Sequence, residues 1–155
     1  MMTGSLLDRR RLIGGLAASA LLPALAEAGA ANDAATKEAS PMRIRMSFDG
    51  RVMTATLADN PSARDFFAML PLDLVISDYS TNEKIAYLTR KLTEAGSGPF
   101  DNERPYDLCY YKPWGNLAMF HAPYRHPGLI RLGRFDAGFE ALHVRGEYPL
   151  RIEAL

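Results

Sequence analysis

The sequence predicts a mainly β protein: a closed or nearly closed antiparallel barrel with two short helices, formed by the chain after residue 41. Three observations support this fold class. Apolar and polar residues alternate with a period of two in several short segments, which is typical of half-buried strands. Turn residues separate these segments at short intervals, and only two segments show helical spacing. Closure of the sheet would remove the exposed edges that a strand-rich protein must otherwise protect.

A β-hairpin opens the predicted domain. Apolar residues at every second position predict strands over 42–48 and 51–57. Asp49-Gly50 lies between them and indicates a two-residue turn, because glycine readily adopts the positive φ that such turns require. The barrel therefore begins with two adjacent antiparallel strands.

An amphipathic helix follows the hairpin. Asn60 is a favourable N-cap, and Pro61 suits the first helical position. Apolar residues at helical spacing predict a helix over 61–70, and Pro71 ends it.

The Gly- and Pro-rich stretch 93–105 predicts a loop. The remaining elements are strands over 72–77, 85–88, 108–112, 117–121, 129–135 and 150–155, and a second short helix over 136–142.

Composition divides the chain at residue 41. All 7 Phe, all 7 Tyr and the 1 Trp follow this point. Residues 1–26 are predicted to be an export signal, because a basic cluster precedes an apolar run too short to span a membrane comfortably. Residues 27–41 contain no large apolar side chain, which is typical of a flexible linker. The barrel domain is predicted to occupy 42–155.

The basic cluster resembles a twin-arginine signal. The string 8–13 (DRRRLI) offers a polar residue, an arginine pair, a free position and two apolar residues. The small residues around Ala26 suit a signal peptidase, and cleavage after Ala26 or after Ala30 fits equally well. We expect a periplasmic or secreted protein that meets a membrane only during export.

Several classes of function are excluded or disfavoured. Eighteen basic and 18 acidic residues leave no net charge, which argues against nucleic-acid binding. The chain contains neither a phosphate-binding loop nor a nucleophile elbow. The three histidines do not follow a metal-ligand spacing, so we expect no metal and no cofactor. The single cysteine, Cys109, is interpreted as a small buried hydrophobic residue rather than a nucleophile.

Aromatic residues crowd into the segment 106–124. Side chains alternate between the two faces of a strand pair, so part of this set could line a ligand groove. The hypothesis is a domain that binds a small molecule or a peptide; any protein partner is unknown. Clustering around the predicted turn at Trp114 and its adjoining strands selects the candidate ligand-binding residues Tyr111, Trp114, Met119, His121 and Arg131.

Five strings in the domain carry a resemblance to a known family. They are 44–57 (IRMSFDGRVMTATL), 60–70 (NPSARDFFAML), 83–88 (EKIAYL), 107–120 (DLCYYKPWGNLAMF) and 128–136 (GLIRLGRFD). Their order and spacing over nearly all of 42–155 are similar to the bacterial cyclophilin-like fold family. The resemblance implies a cyclophilin-like barrel of eight strands capped by two helices, and it implies little about activity.

The true cyclophilins are peptidyl-prolyl isomerases with an active-site groove. This chain differs from them at the positions that match the groove residues. Their groove uses Arg, Gln, aromatic residues and His, whereas this chain contains no Gln. Leu129 and Met119 stand where the resemblance implies the His and a Phe. We therefore predict a binding domain without isomerase activity. The alternative is an isomerase with an unusual active site, in which Arg131 or Arg134 acts as donor to the prolyl amide. A module that binds a protein partner is a third possibility.

Overall fold

The structure is a computed structural model that describes residues 39–95 and 98–155. The export signal predicted over 1–26 and residues 27–38 of the predicted linker lie outside this range. One α-helix, α1 (Pro61–Ala68), and a short 3₁₀ helix (Phe139–His143) accompany the strands. The eight strands are β1 (Arg43–Phe48), β2 (Arg51–Leu57), β3 (Leu72–Tyr79), β4 (Glu83–Tyr87), β5 (Asp107–Tyr111), β6 (Asn116–Phe120), β7 (Leu129–Ala137) and β8 (Tyr148–Ala154).

These strands form one closed antiparallel barrel. Their order around the barrel is β1-β2-β7-β5-β6-β4-β3-β8, and β8 pairs with β1 to complete the circle. Closure gives every strand two hydrogen-bonded neighbours, so none is left as an edge. The predicted fold class is confirmed. None of the helices among the described residues has the length and apolar character needed to cross a membrane.

The turn residues and the helix cap at the start of the domain adopt the predicted structures. Asp49 and Gly50 both have positive φ, 48° and 66°, and their turn sets Met46 opposite Met53. The Asn60 side chain caps α1 by accepting a hydrogen bond from the backbone N–H of Ala63 at 2.8 Å.

The second predicted helix is shorter than expected. The sequence pattern assigned 136–142 to it, but β7 continues to Ala137. Gly138 then adopts a φ of 69°, and a single 3₁₀ stretch follows from Phe139 to His143. The strand continues because Thr54 of β2 still pairs with Ala137.

Alternation along the strands separates the barrel interior from an outer layer. On β6, Leu117 and Met119 are buried in the main core, while Ala118 and Phe120 belong to a second cluster. Cys109 and Leu129 complete the buried part of that cluster, on the other face of the sheet. The interior is filled by side chains, as in other small barrels. The outer cluster underlies the candidate site described below.

Gly133 allows β7 to approach β2 closely. A Cβ at this position would overlap the carbonyl oxygen of Thr56 and would lie 2.8 Å from the Cα of Leu57. Both are backbone atoms of a paired strand, so neither can move away without disturbing the ladder. We predict that Gly133→Ala lowers the free energy of unfolding by about 1–3 kcal/mol in urea denaturation.

Gly98→Ala is the control for this prediction. A Cβ on Gly98 would meet no atom within 4 Å. This variant should change the free energy of unfolding by less than about 0.5 kcal/mol. Equal stabilities of the two variants would show that the β2–β7 approach is not tight.

Candidate functional site

A cavity of about 280 Å³ lies on the outer face of the barrel, over β4, β6 and β5. We call it the outer groove. Buried residues such as Ile85 and Ala118 form its base, and exposed residues such as Trp114 and His126 form its rim. Its volume is near the lower end of ligand pockets, roughly 300–1,000 Å³. The lining residues are Tyr79, Ser80, Asn82, Glu83, Ile85, Tyr111, Trp114, Asn116, Ala118, Phe120, Tyr124, Arg125, His126 and Leu129.

The turn between β5 and β6 presents Trp114 to the groove. The backbone N–H of Gly115 donates to the carbonyl of Tyr111 at 2.9 Å, and Gly115 adopts a φ of 70°. A non-glycine residue would be strained in this conformation. Trp114 remains 47% exposed, although large aromatic side chains usually dominate buried cores. An exposed Trp beside a cavity is therefore a feature that a ligand could cover.

Four rings at the rim, those of Tyr79, Trp114, Tyr111 and His126, form three pairs that meet at nearly right angles. Tyr79 lies 5.4 Å from Trp114 between ring centroids, at an interplanar angle of 85°. Tyr111 lies 5.3 Å from Trp114 at 83°, and His126 lies 5.2 Å from Tyr111 at 82°. These edge-to-face arrangements are favourable for aromatic pairs.

Two acceptor side chains, Asn116 and Glu83, line the groove. Asn116 is 1% exposed, and its amide nitrogen donates to the carbonyl of Leu117 at 2.9 Å. Its Oδ1 has no hydrogen-bond partner among the described residues. Burial raises the pKa of Glu83 to about 7, and the charge of His126 opposes this shift. The groove thus contains a buried, unused acceptor and a carboxyl group that titrates near neutral pH.

A buried carboxylate anchors the structure beside the groove. Asp107 is fully buried, and its Oδ2 accepts from the Tyr124 hydroxyl at 2.7 Å and from the backbone N–H of Arg104 at 3.0 Å. Arg134 places a guanidinium nitrogen 2.6 Å from Oδ1, as an ion pair whose angle is poor for a hydrogen bond. A guanidinium nitrogen of Arg131 lies 3.7 Å from Oδ2. One carboxylate therefore joins β5, β7 and two connecting segments.

Tyr124, which is held by its hydrogen bond to Asp107, forms a wall of the groove. Its ring stacks on Phe120, with centroids 3.6 Å apart and planes within 5°. Its hydroxyl lies 3.4 Å from the sulfur of Cys109. Burial raises the pKa of the Cys109 thiol to about 12 and raises the pKa of the Tyr124 phenol above its usual range. Cys109 is thus a buried protonated thiol, as the sequence indicated, and not an activated nucleophile.

The structure brings two of the five predicted ligand-binding residues into the groove. Tyr111 and Trp114 both line it. Met119 does not, because alternation along β6 turns its side chain into the filled barrel interior, where it is fully buried. The structure therefore does not bring Met119 together with Tyr111 and Trp114, and its part in ligand binding stays a prediction.

His121 and Arg131 also lie away from the groove lining. The His121 ring is 4.8 Å from that of His143, and burial lowers the pKa of His121, with His143 adding to the effect. Arg131 contacts the buried Asp107 and lies over the Phe100 ring at 4.7 Å. Within residues 39–95 and 98–155, no three His, Cys, Asp or Glu side chains are grouped as metal ligands would be.

Twelve of the fourteen lining residues were not among the five candidates, and these twelve include Tyr79, Glu83, Asn116 and His126. Glu83 was missed because the predicted strand started at residue 85, whereas β4 starts at Glu83 and alternation turns Glu83 and Ile85 outward. The strand string EKIAY contains this alternation and is the signal that could have identified Glu83.

Asp107→Asn tests the anchor. The substitution leaves two guanidinium groups beside a neutral amide, so we predict a loss of about 3 kcal/mol in the free energy of unfolding. Asp73→Asn is the control, because Asp73 pairs with Arg151 at 2.7 Å on the exposed surface. That variant should lose less than about 1 kcal/mol. Similar losses measured by urea denaturation for both variants would contradict the anchoring role.

Known proteins provide three comparisons for this chain and its fold. No curated protein matches the chain. The structure is similar to the solution structure of a hypothetical protein from Archaeoglobus fulgidus, with a TM-score of 0.62 and 15% identity. The similarity covers 77% of this chain and 98% of that one, and at this identity it shows the fold alone. The model of the cyclophilin-like family matches residues 46–153. The chain therefore belongs to the cyclophilin-like family.

Proposed function

We propose that the domain binds a small molecule or a short peptide in the outer groove. The observation that carries this proposal is the unused Oδ1 of Asn116, which is buried in the lining of a cavity. A buried acceptor without a partner costs free energy, roughly 1–3 kcal/mol, and native proteins rarely retain one without a reason. A ligand that donates a hydrogen bond to Asn116 would remove this cost.

The groove is also built to hold its shape. Its base lies on three paired strands, and Tyr124 is fixed by the Asp107 anchor and by stacking on Phe120. A preformed site loses little conformational entropy when a ligand binds. Trp114 and Tyr79 remain exposed at the rim and supply apolar area that a ligand can cover.

The geometry supports binding better than isomerase catalysis. Arg131 and Arg134, the donors expected for an isomerase, both face Asp107, and neither lines the groove. Arg125 does line the groove, but its guanidinium lies 3.3 Å from the carboxylate of Glu103. We therefore propose a binding domain without isomerase activity.

Ligand binding can be measured through Trp114, the single tryptophan of the chain. A small-molecule and peptide library should contain compounds that change the fluorescence of Trp114 and raise the melting temperature. Trp114→Ala should weaken the binding of such compounds about tenfold, or ~1.4 kcal/mol, in calorimetric titrations.

Tyr87→Ala is the matched control for Trp114→Ala. Tyr87 is similarly exposed, at 55% against 47%, but does not line the groove. Equal effects of the two substitutions would place the binding site elsewhere. Turnover of a prolyl peptide above the uncatalysed rate, lost in a stable Arg131→Ala variant, would favour the isomerase instead.

We also propose that the domain acts after export, on the basis of the string 8–13. A receptor of the twin-arginine type reads the guanidinium pair, so replacing Arg9 and Arg10 together by Lys should block export and leave the leader uncleaved. Arg11→Lys is the control, since the signal leaves this position free. Cell fractionation and the mass of the mature protein give the readout. Export of the double variant at the normal level would contradict the twin-arginine assignment.

A further inference from the structure

Resting on the ligand-binding function proposed above, we propose that the outer groove selects ligands that carry an organic ammonium group. Two independent features of the groove support this ligand class. Its rim consists of aromatic rings at right angles, and its uncommitted polar side chains, Glu83 and Asn116, present acceptor oxygens.

The aromatic rim has the arrangement that suits a cation. Tyr79, Trp114 and Tyr111 form two adjoining corners, with interplanar angles of 85° and 83°. The face of an aromatic ring carries partial negative charge, so rings at right angles can surround a cation with several attractive faces. Recognition of quaternary ammonium groups by aromatic cages relies on this attraction.

The acceptors add to the same preference. The Oδ1 of Asn116 has no donor partner in the described part of the chain. The Glu83 carboxyl group likewise makes neither a hydrogen bond nor an ion pair with any described side chain. Both side chains line the groove that carries the aromatic rim. An ammonium group could satisfy a carboxylate by charge and, where it retains an N–H, could donate to the amide oxygen.

The positive groups at the rim have other partners. The Arg125 guanidinium lies 3.3 Å from a carboxylate oxygen of Glu103. The Nδ1 of His126 lies 2.6 Å from the carbonyl oxygen of Pro127, which can only accept, so Nδ1 carries the proton. An anionic ligand would meet Glu83 and the negative ring faces, so the groove disfavours it.

Choline and its neutral isostere 3,3-dimethylbutan-1-ol provide the central test. The two molecules have the same shape, and a carbon replaces the charged nitrogen in the alcohol. Trp114 fluorescence of the full chain is followed during titration at pH 8 and constant ionic strength. We expect choline to bind at least tenfold more tightly than the alcohol. Equal affinities, or binding of the alcohol alone, would overturn the preference for ammonium.

Two variants, each with a matched control variant, test which groove residues cause the preference for ammonium. Glu83→Gln should weaken choline binding about tenfold and leave the affinity for the alcohol unchanged. Glu147→Gln, which changes an exposed carboxylate outside the groove, should leave both affinities unchanged. Tyr79→Leu should weaken choline binding, whereas Tyr87→Leu should not. Melting temperatures of the variants establish that each one is folded.

The pH dependence supplies a further readout. Glu83 is neutral below a pKa of about 7 and ionised above it, so choline affinity should rise between pH 6 and pH 8 by about fivefold. The titratable and charged groups that line the groove with Glu83 are Tyr79, Tyr111, Tyr124, Arg125 and His126. The buried Cys109 of β5 also interacts electrostatically with Glu83. Glu83→Gln should abolish the rise. A rise retained in this variant would assign the effect to His126 and overturn the role of Glu83.

The source of the ammonium group is separated by a second set of probes. Choline and tetramethylammonium represent small amines, and a short peptide that contains trimethyl-lysine represents a protein side chain. Binding of either set supports the proposal, and their relative affinities identify the source. If neither set binds but other library compounds bind at Trp114, the ammonium preference fails and the binding function stands. If nothing binds at Trp114, both fail.

Discussion

The structure depends on one constraint, which is that side chains fill the inside of the closed eight-strand barrel. Alternating residues of all eight strands fill the interior, and large members of this set, such as Tyr110 and Met119, have no solvent exposure. A packed interior of this kind resists insertion of even a methylene group. Any site for a ligand must therefore be made on the outside of the barrel, from side chains that point away from the core.

A flat outer face alone would not make a cavity. The Asp107 anchor holds the segments that form a wall above this face. By holding Tyr124 and the backbone of Arg104, the carboxylate fixes two connecting segments against the outer face of β5 and β7. The stacked pair of Tyr124 and Phe120 then covers part of the small outer cluster. Removing the carboxylate from water is costly, and the two arginines beside it offset that cost. The same polar network thus stabilises the domain and shapes the groove.

The sequence was a reliable guide where structure is determined locally. The Asp49-Gly50 turn, the Asn60 cap and the alternation of the strands depend on residues within a few positions of one another. The groove depends instead on pairing between distant segments, which brings Tyr79 against Trp114. Such contacts have no local signal, so only Tyr111 and Trp114 were identified. Met119 lies apart from these two residues because closeness in sequence does not determine which face of β6 a side chain occupies.

The barrel order places the ends of the domain far from the groove. All groove residues lie between Tyr79 and Leu129, and β6, at the centre of the groove, is halfway round the barrel from β1. β1 and β8 run side by side, and the N–H of Leu155 donates to the carbonyl of Arg43 at 2.9 Å. A polypeptide fused at either end would emerge on the side of the barrel away from the groove. The described domain can therefore be tethered or immobilised at either end with the outer groove turned away from the attachment.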